Sequence, residues 1–205
     1  MMAHASTARA QVDWSGENPG MYLKAGKSGS YVSLISFFRV VTSPHGRGHA
    51  AFLVLDPHGD GHDADRPNVC LTDNEPLAGY LAAGFVSSFG AFRDARGLRA
   101  LRYQPGWDFV AGGDGRTHHV EWFRSAIGQV QLQWNELSES FLVDLKPEEA
   151  ATGKHRMVSL FFDSHAVSAR INGKPVAGQP VPREFAGKRD SSTAFLAFSE
   201  TWIKA

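Results

Sequence analysis

The stretch GSYVSLISFFRVVTS, residues 29–43, predicts the first long strand of the chain, because β-branched and aromatic side chains dominate it. Both of its faces are largely apolar, so we expect this strand to be central in a sheet or covered by a helix. A turn, SPHGRG (43–48), and a second apolar run, HAAFLVLD (49–56), follow it. The two runs predict a β-hairpin, and NVCLT (68–72) predicts a third, shorter strand.

A helix is predicted after the third strand, because the spacing of the apolar residues changes to three and four. Asp73 or Asn74 can cap its start, Glu75 favours the positive end of the helix, and Pro76 is tolerated in a first turn. We expect one main helix over residues 75–92. The apolar positions on its predicted buried face are Leu77, Tyr80, Leu81, Phe85, Phe89 and Phe92.

Strands resume after the helix. The run GQVQLQW (128–134) places glutamines on one face and Val130, Leu132 and Trp134 on the other, which is typical of an antiparallel sheet with one solvated face. With about ten strands and one main helix, the chain is predicted to be mainly β: a single-domain antiparallel β-barrel or strongly bent sheet over residues 13–205, plugged or covered by the helix. We expect residues 1–12 to form a loose tail. The other predicted strands are 98–104, 107–112, 116–124, 140–145, 156–163, 166–171 and 192–203.

The charge balance argues against two classes of partner. Lys plus Arg and Asp plus Glu each number 21, so the net charge is near zero and neither nucleic acid nor an anionic membrane surface is expected to bind. No run of 18 apolar residues suggests a membrane span. The single cysteine, Cys70, cannot form an internal disulfide and fits a reducing cytosol, so we expect a cytoplasmic protein. The near-zero net charge is compatible with association of copies of the chain into a homo-oligomer.

Two groups of motifs are absent from the sequence. Neither a G-x-G-x-x-G fingerprint nor a Walker A motif occurs, so no cofactor is predicted. No G-x-S-x-G motif marks a serine nucleophile.

The three predicted strands followed by LTDNEPLAGYLAAGF (71–85) resemble the acetoacetate decarboxylase-like family. In that family an Asp-Asn-Glu-Pro type stretch, here Asp73 to Pro76, leads from a strand into a helix that plugs a β-barrel. The resemblance covers residues 30–92 and implies a barrel with a pocket.

The sequence departs from that family at the catalytic positions. The resemblance leads us to expect a Schiff-base lysine just after the helix, but SFGAFRDARGLRAL (88–101) contains only arginines, which stay protonated and cannot form an imine. The glutamate expected before the helix is also missing, since residues 17–75 contain only Glu17 and Glu75. The resemblance therefore implies the barrel and the pocket without the Schiff-base reaction.

The stretch LDPHGDGHDADRP (55–67) contains residue types that bind metals, but it fits neither a helical zinc-binding motif nor a calcium-binding loop. His58 and His62 have the spacing of two zinc ligands on a helix, yet Pro57, Gly59 and Gly61 interrupt any helix there. A calcium loop fails at its twelfth position, which is Pro67 instead of glutamate. We predict a polar hairpin loop and no metal, with a metal-dependent enzyme as the third-ranked function.

Two charged residues stand among apolar neighbours. Arg39 shares a strand face with Ile35, Phe37 and Val41. Glu200 shares one with Leu196, Phe198 and Trp202. A buried charge needs a partner, so two inward-facing side chains are expected to pair or to form a polar anchor in a pocket. Alternatively, both lie at strand ends and reach water.

Further candidate site residues lie on the central strands. His118 in THHVEWF (117–123) could act as an acid or a base beside Glu200, and Arg39 could hold a carboxylate. Tyr103, Trp122 and Trp202 could form an aromatic wall for a ligand. Each of these residues is also explained by an ordinary role in the core or at the surface.

We rank three functions for this chain. The first is a barrel that binds a small organic acid or apolar metabolite, with lyase- or isomerase-type acid–base chemistry, and it predicts an open cavity lined by Arg39, Glu200 and aromatic rings. The second is a non-catalytic structural or oligomeric assembly protein, which predicts a filled barrel. The third is the metal enzyme that uses His58 and His62.

Overall fold

The computed structural model describes residues 11–205. The predicted tail of residues 1–12 lies outside the described part except for its last two positions, and Val12 already begins the first strand. The strands are β1 (Val12–Glu17), β2 (Gly20–Lys24), β3 (Tyr31–Thr42), β4 (Gly48–Val54), β5 (Asn68–Thr72), β6 (Arg102–Gly113), β7 (His118–Ser125), β8 (Gly128–Leu137), β9 (Phe141–Leu145), β10 (His155–Ile171), β11 (Lys174–Pro175), β12 (Pro182–Phe185), β13 (Lys188–Ser192) and β14 (Ala194–Lys204).

Nine strands close into a β-barrel in the order β14-β2-β3-β4-β5-β6-β7-β8-β10, and β10 pairs back onto β14. Neighbouring barrel strands are antiparallel, except that β5 and β6 run parallel. A parallel pair requires a crossover, and the helical segment after residue 72 provides it. The predicted mainly β barrel with one main helix is confirmed, as are the hairpin of β3 with β4 and the short strand β5.

The interior of the barrel is packed with apolar side chains. Alternate residues of the barrel strands point inward, as expected for a sheet whose two faces differ. The fully buried members of this interior core include Met21, Ile35, Phe37, Ala51, Leu53, Val69, Leu71, Phe123, Val130, Leu132, Trp134, Ala194 and Leu196. These side chains fill much of the barrel interior, and a cavity of about 320 Å³ lies beside part of this core, lined by Leu55, Ile127, Ile171 and Val176.

The helix α1 (Glu75–Gly84) covers the outer face of the barrel. Leu77, Ala78 and Leu81 are fully buried and belong to a second core with the outward side chains of Phe38 and Phe52. This second core explains why β3 is apolar on both faces, as the sequence predicted. Asn74 caps the helix, since its side-chain oxygen accepts the Leu77 backbone N–H at 3.1 Å.

The prediction that the helix extends to residue 92 is wrong. The α-helix ends at Gly84, and the chain continues as a 3-10 turn (Val86–Ser88) and later a single helical turn, α2 (Arg96–Arg99). Glycines and serines at 84, 87, 88 and 90 weaken a helix, whereas Phe85, Phe89 and Phe92 stay buried. The apolar spacing therefore marks an irregular segment that is buried against the barrel. Among residues 11–205, no helix is long and apolar enough to cross a membrane.

Strand β10 replaces two strands that the sequence predicts separately. Its 17 residues run without a break from His155 to Ile171 and change partners midway. The first half pairs with β14 and β9, and the second half pairs with β8 and β11. The predicted strands 98–104 and 107–112 likewise form the single strand β6, which begins only at Arg102 because α2 occupies the preceding residues.

Strand β1 pairs with both β14 and β3, and Gly16 lies opposite Glu200 on one side and Val40 on the other. A methyl group on Gly16 would lie 2.1 Å from the backbone oxygen of Arg39. We therefore expect Gly16→Ala to force β1 away from β3 and to lower the free energy of unfolding by about 1–3 kcal/mol. Urea denaturation measures this change.

The matched control for this substitution is Gly26→Ala, because a methyl group at Gly26 would have no atom within 4 Å. Its unfolding midpoint should stay close to that of the unsubstituted protein. Equal midpoints for the two variants would contradict the close approach of β1 and β3.

Candidate functional site

A cavity of about 380 Å³ lies on the outer side of the barrel wall. Strands β10 and β14 form its floor, the segment around Phe89 forms one wall, and β12 lies across it. Its volume falls within the range of small-molecule sites. The aromatic side chains that line it are Tyr22, Tyr31, Phe89, Phe161, Phe185, Phe195 and Trp202.

A β-bulge in β14 places Glu200 in this cavity. Leu160 pairs with Phe198, whereas Val158 pairs with Thr201, so β14 contains one extra residue opposite β10. Ser199 has a φ of +50° at this point. The extra residue reverses the alternation of side chains, so Glu200 and Trp202 lie on the outer face while Leu196 faces the barrel interior. The prediction that Glu200 shares a face with Leu196 and Phe198 is wrong for this reason.

One oxygen of Glu200 is held by two donors. The Trp202 indole Nε1–H donates to Oε1 at 2.6 Å, and the Asn18 amide donates to the same oxygen at a longer 3.5 Å. The orientation of the Asn18 amide is set by Ser36, whose hydroxyl donates to Asn18 Oδ1 at 2.7 Å. The second oxygen, Oε2, has no hydrogen-bond partner among residues 11–205.

Burial controls the charge of Glu200. The side chain is 3% exposed, and desolvation raises the pKa of Glu200 to about 7 although the hydrogen bonds from Trp202 and Asn18 lower it. The carboxyl group therefore changes its charge near neutral pH, unlike an exposed glutamate. Such a group in a cavity is a candidate acid or base.

Arg183 on β12 lies at another part of the same cavity. Its guanidinium carbon is 4.6 Å from the ring centre of Phe185, 4.8 Å from that of Phe195 and 5.8 Å from that of Tyr22. The Nε and Nη2 atoms are shielded from solvent and have no hydrogen-bond partner among residues 11–205. Burial lowers the pKa of Arg183: no carboxylate of residues 11–205 forms an ion pair with the guanidinium, and the charge of Asp163 offsets the desolvation only in part.

The hairpin of β12 and β13, which contains Arg183, is fastened to the barrel by Asp163. This fully buried carboxylate on β10 accepts hydrogen bonds from Lys188 Nζ, from the Ser191 hydroxyl at 2.6 Å and from the Ser192 backbone N–H at 3.0 Å. Burial alone would raise the pKa of Asp163, but these three donors hold it below its usual value. The anchor fixes the position of Arg183 relative to β10.

Arg39 lies at one end of the barrel interior and does not pair with Glu200. Its Nη2 donates to Glu121 Oε2 at 2.6 Å, and its Nη1 donates to His49 Nε2 at 2.8 Å. Glu121 is fully buried, and its other oxygen is 3.0 Å from His119 Nε2. Arg39 therefore belongs to a charged network inside the barrel, on the opposite face of the wall from the cavity.

Three other predicted site residues also lie away from the cavity. His118 is the first residue of β7 and is partly exposed, with its Nδ1 3.6 Å from Asp114. Tyr103 is partly exposed on β6, and the half-buried Trp122 packs over Gly112 on the outer face of β7. Of the six predicted catalytic and ligand-binding residues, the cavity brings together only Glu200 and Trp202.

The loop with His58 and His62 is a hairpin loop, as the sequence predicted, because β4 and β5 pair up to Val54 and Asn68. Its aspartates accept hydrogen bonds from the loop's own backbone. Asp60 accepts the His62 N–H at 3.1 Å, and Asp63 accepts the Asp65 N–H at 2.9 Å. Within residues 11–205, no three or more His, Cys, Asp or Glu side chains are grouped to hold a metal ion.

A hydroxyl–imidazole–carboxylate chain is present near the cavity. His155 Nε2 is 2.6 Å from Asp13 Oδ2, and His155 Nδ1 is 2.8 Å from the Thr152 hydroxyl. Lys204 donates to the other Asp13 oxygen at 2.8 Å. His155 is 2% exposed and Thr152 does not line the cavity, so this chain is best explained as a clamp that joins the ends of β1, β10 and β14.

Sequence reasoning missed Arg183, which is the most unusual charge in the cavity. The stretch VPREF (181–185) places Val181, Arg183 and Phe185 at alternate positions. That pattern of an arginine between two apolar residues on one strand face was the available signal, the same signal that drew attention to Arg39.

No protein-family model matches the chain, and no curated protein or solved structure is significantly similar to it. The resemblance to the acetoacetate decarboxylase-like family therefore stays a prediction.

Replacing Arg39 tests whether it stabilises the barrel through Glu121. In Arg39→Met, the fully buried carboxylate loses its cationic partner, and we expect the free energy of unfolding to fall by about 3–5 kcal/mol. The double variant Arg39→Met/Glu121→Met removes both charges and should recover most of this loss, as measured by chemical denaturation. The control is Arg124→Met, because Arg124 pairs with Asp108 only at the exposed surface. This substitution should change the free energy of unfolding by less than about 1 kcal/mol. Failure of the double variant to recover stability would contradict the pairing.

The raised pKa of Glu200 makes a prediction for stability against pH. The pKa rises from 4.5 to about 7 on folding, so the folded protein binds this proton more tightly than the unfolded chain does. The stabilisation is complete below pH 4.5 and is lost as the pH rises through 7, a change of up to about 3 kcal/mol. Glu200→Gln lacks this titrating group. The difference in free energy of unfolding between Glu200→Gln and the unsubstituted protein should therefore shift in favour of Glu200→Gln between pH 5 and pH 8. Glu148→Gln, at an exposed position, is the control, and parallel pH profiles for all three proteins would contradict the assignment.

Proposed function

We propose that this protein binds a small organic acid in the outer cavity, with Arg183 as the group that holds the carboxylate. The observation that carries this proposal is the buried Nε and Nη2 edge of Arg183, which has no partner among residues 11–205. Another arginine of the chain shows how this edge binds a carboxylate: Nε and Nη2 of Arg156 donate to the two oxygens of Asp144 at 2.7 and 2.6 Å. This edge of a guanidinium matches a carboxylate with two parallel hydrogen bonds.

The surroundings of Arg183 favour a ligand with an apolar body. Phe185, Phe195 and Tyr22 pack around the guanidinium, and Phe161 and Trp202 line the rest of the cavity. A buried donor without a partner costs about 1–3 kcal/mol, and more when the group is charged. Because both N–H groups are closed to solvent in this structure, a carboxylate ligand would reach them only by displacing the neighbouring rings. It would then satisfy both N–H groups in a region of low dielectric, and its apolar part would contact the rings.

Glu200 supplies an acid–base group for this proposal. Its pKa of about 7 leaves both charge states populated near neutral pH, which suits proton transfer in a lyase- or isomerase-type reaction. Glu200 replaces His118 in this role, because His118 is partly exposed at the start of β7 and does not line the cavity. Arg39 is likewise replaced by Arg183 as the carboxylate-binding residue.

Binding of trans-cinnamate tests the proposal, since this probe joins a carboxylate to an aromatic body. We expect calorimetric titration to detect cinnamate binding and Arg183→Met to weaken it at least about tenfold, because two charge-assisted hydrogen bonds are lost. Cinnamamide, which is uncharged, should bind weakly to both proteins. The matched control is Arg156→Met, which removes an exposed arginine outside the cavity. Equal affinity of cinnamate for Arg183→Met and for the unsubstituted protein would overturn the proposal.

The second candidate function is a structural or assembly protein, and the largely filled interior of the barrel favours it. The exposed cross-strand pair of Leu142 and Leu160 on β9 and β10 adds an apolar surface on which copies could associate. In the same titrations, the absence of any binding together with a mass above that of one chain in solution would favour this function over ligand binding.

A further inference from the structure

The two ends of the barrel interior differ in chemistry. The charged network of Arg39 and Glu121 occupies one end. Ser33 lies six residues before Arg39 on β3, or roughly 20 Å along the strand, and it lines the cavity of about 320 Å³ beside the interior core. We call this second space the end cavity. A ligand there is separated from the charged network by the packed core.

The walls of the end cavity are aliphatic. Its branched apolar side chains are Leu55, Ile127, Ile171 and Val176, and all four belong to or pack against the interior core. Among residues 11–205 no aromatic side chain lines it, whereas seven line the outer cavity. The two cavities therefore suit ligands of different shape and chemistry.

Two segments form the rim of the end cavity. Residues 174–177 connect β10 to β3, since the Val176 N–H donates to the Ala169 carbonyl at 2.8 Å and the Ser33 hydroxyl donates to the carbonyl of residue 177 at 2.9 Å. Residues 64–67 belong to the loop between β4 and β5. The two segments meet where Lys174 Nζ donates to Asp65 Oδ1 at 2.8 Å. Both of these side chains are well exposed, so the end cavity opens to solvent at this rim.

The polar groups around the end cavity already have partners within the chain. The Asn172 side chain accepts a backbone N–H at 3.0 Å and donates to a backbone carbonyl at 2.7 Å. Arg66 donates through Nε to a backbone carbonyl at 3.1 Å, and its Nη2 is 3.7 Å from Asp56. Lys174 and Asp65 pair with each other. A ligand therefore gains its affinity from the apolar walls and not from an unpaired charge.

We propose that the end cavity is a second binding site, which takes one aliphatic chain with a neutral polar head, as in a medium-chain alcohol. The chain contacts the aliphatic walls, and the head lies at the rim beside Asp65 and Lys174. The volume is at the small end of the range for ligand sites, which suits a short chain. Removal of the chain from water drives binding, because this gain depends on apolar area and needs no unpaired protein group.

This site gives the loop of residues 55–67 a role other than metal binding. Leu55 and Pro67, at the two ends of the loop, line the end cavity, and Asp65 lies at its rim. The site is also independent of the proposed function, because the interior core and the outer core lie on opposite faces of the barrel wall.

A series of 1-butanol, 1-pentanol and 1-hexanol tests the proposal by NMR titration. Affinity should rise about fourfold with each added methylene, since each one leaves water for the aliphatic walls. The methyl signals that shift should be those of Leu55, Ile127, Ile171 and Val176. Affinity that does not depend on chain length would overturn the proposal, as would shifts confined to Leu145 and Met157 of the outer cavity.

The variant Ile127→Trp places a larger side chain in the end cavity. It should weaken 1-hexanol binding at least about tenfold, because the ring takes the space of two or more methylenes. The matched control is Ile203→Trp, since Ile203 is a half-buried isoleucine on β14 that does not line this cavity. Thermal denaturation checks that both variants fold. Equal weakening by the two variants would contradict the site, and the methyl shifts of the unsubstituted protein decide the question if Ile127→Trp does not fold.

The charge of the head group is tested with hexanoate and hexylammonium, which match 1-hexanol in chain length. Both ions should shift the methyl signals of the end cavity at higher concentrations than 1-hexanol does, because burial of a charge without a free partner is costly. Tighter binding of hexanoate that Lys174→Met abolishes would overturn the neutral head. Saturating 1-hexanol should leave the affinity for trans-cinnamate unchanged, and competition between the two would contradict separate sites.

Discussion

The pairing of β10 with β14 is the interaction on which the rest of the structure depends. It joins the first and last barrel strands, so their backbone donors and acceptors are satisfied and the barrel is left without an open edge there. Strand β10 is long enough to pair with β14 in its first half and with β8 in its second. The resulting nine-stranded barrel is narrow enough to be largely filled by its own side chains.

The outer cavity lies against the wall formed by β10 and β14, and the positions of its two charged residues, Arg183 and Glu200, depend on this strand pair. Asp163 on β10 anchors the hairpin that contains Arg183, and the bulge at Ser199 on β14 turns Glu200 outward. Glu200 therefore lies on a barrel strand itself, whereas Arg183 lies on a separate two-stranded sheet that Asp163 fastens to the barrel. Sites built on strands keep their geometry better than sites built on loops.

The protein treats its buried charges in two different ways. Inside the barrel, Arg39 and Glu121 neutralise each other at 2.6 Å, and His49 and His119 satisfy further donors and acceptors. In the outer cavity, no carboxylate of residues 11–205 forms an ion pair with Arg183, and no cation of that range forms one with Glu200. A buried charge without a partner costs stability, and natural proteins keep such charges mainly at functional sites. This contrast directs attention to the outer cavity instead of the more heavily charged end of the barrel.

The sequence by itself determined the features that depend on neighbouring residues. Alternation with a period of two and the turn residues between runs predicted β3, β4, β5, β7 and β8, and the Asn74 cap predicted where the helix begins. Tertiary structure alone decided the partner of Arg39, which is 82 positions away across the barrel, and the face of Glu200, which a single extra residue reverses. It also decided where the cavity lies, because β12, β14 and the segment around Phe89 meet only after the barrel has closed. Local patterns report which side chains prefer burial, but contacts between distant segments decide what each one is buried against.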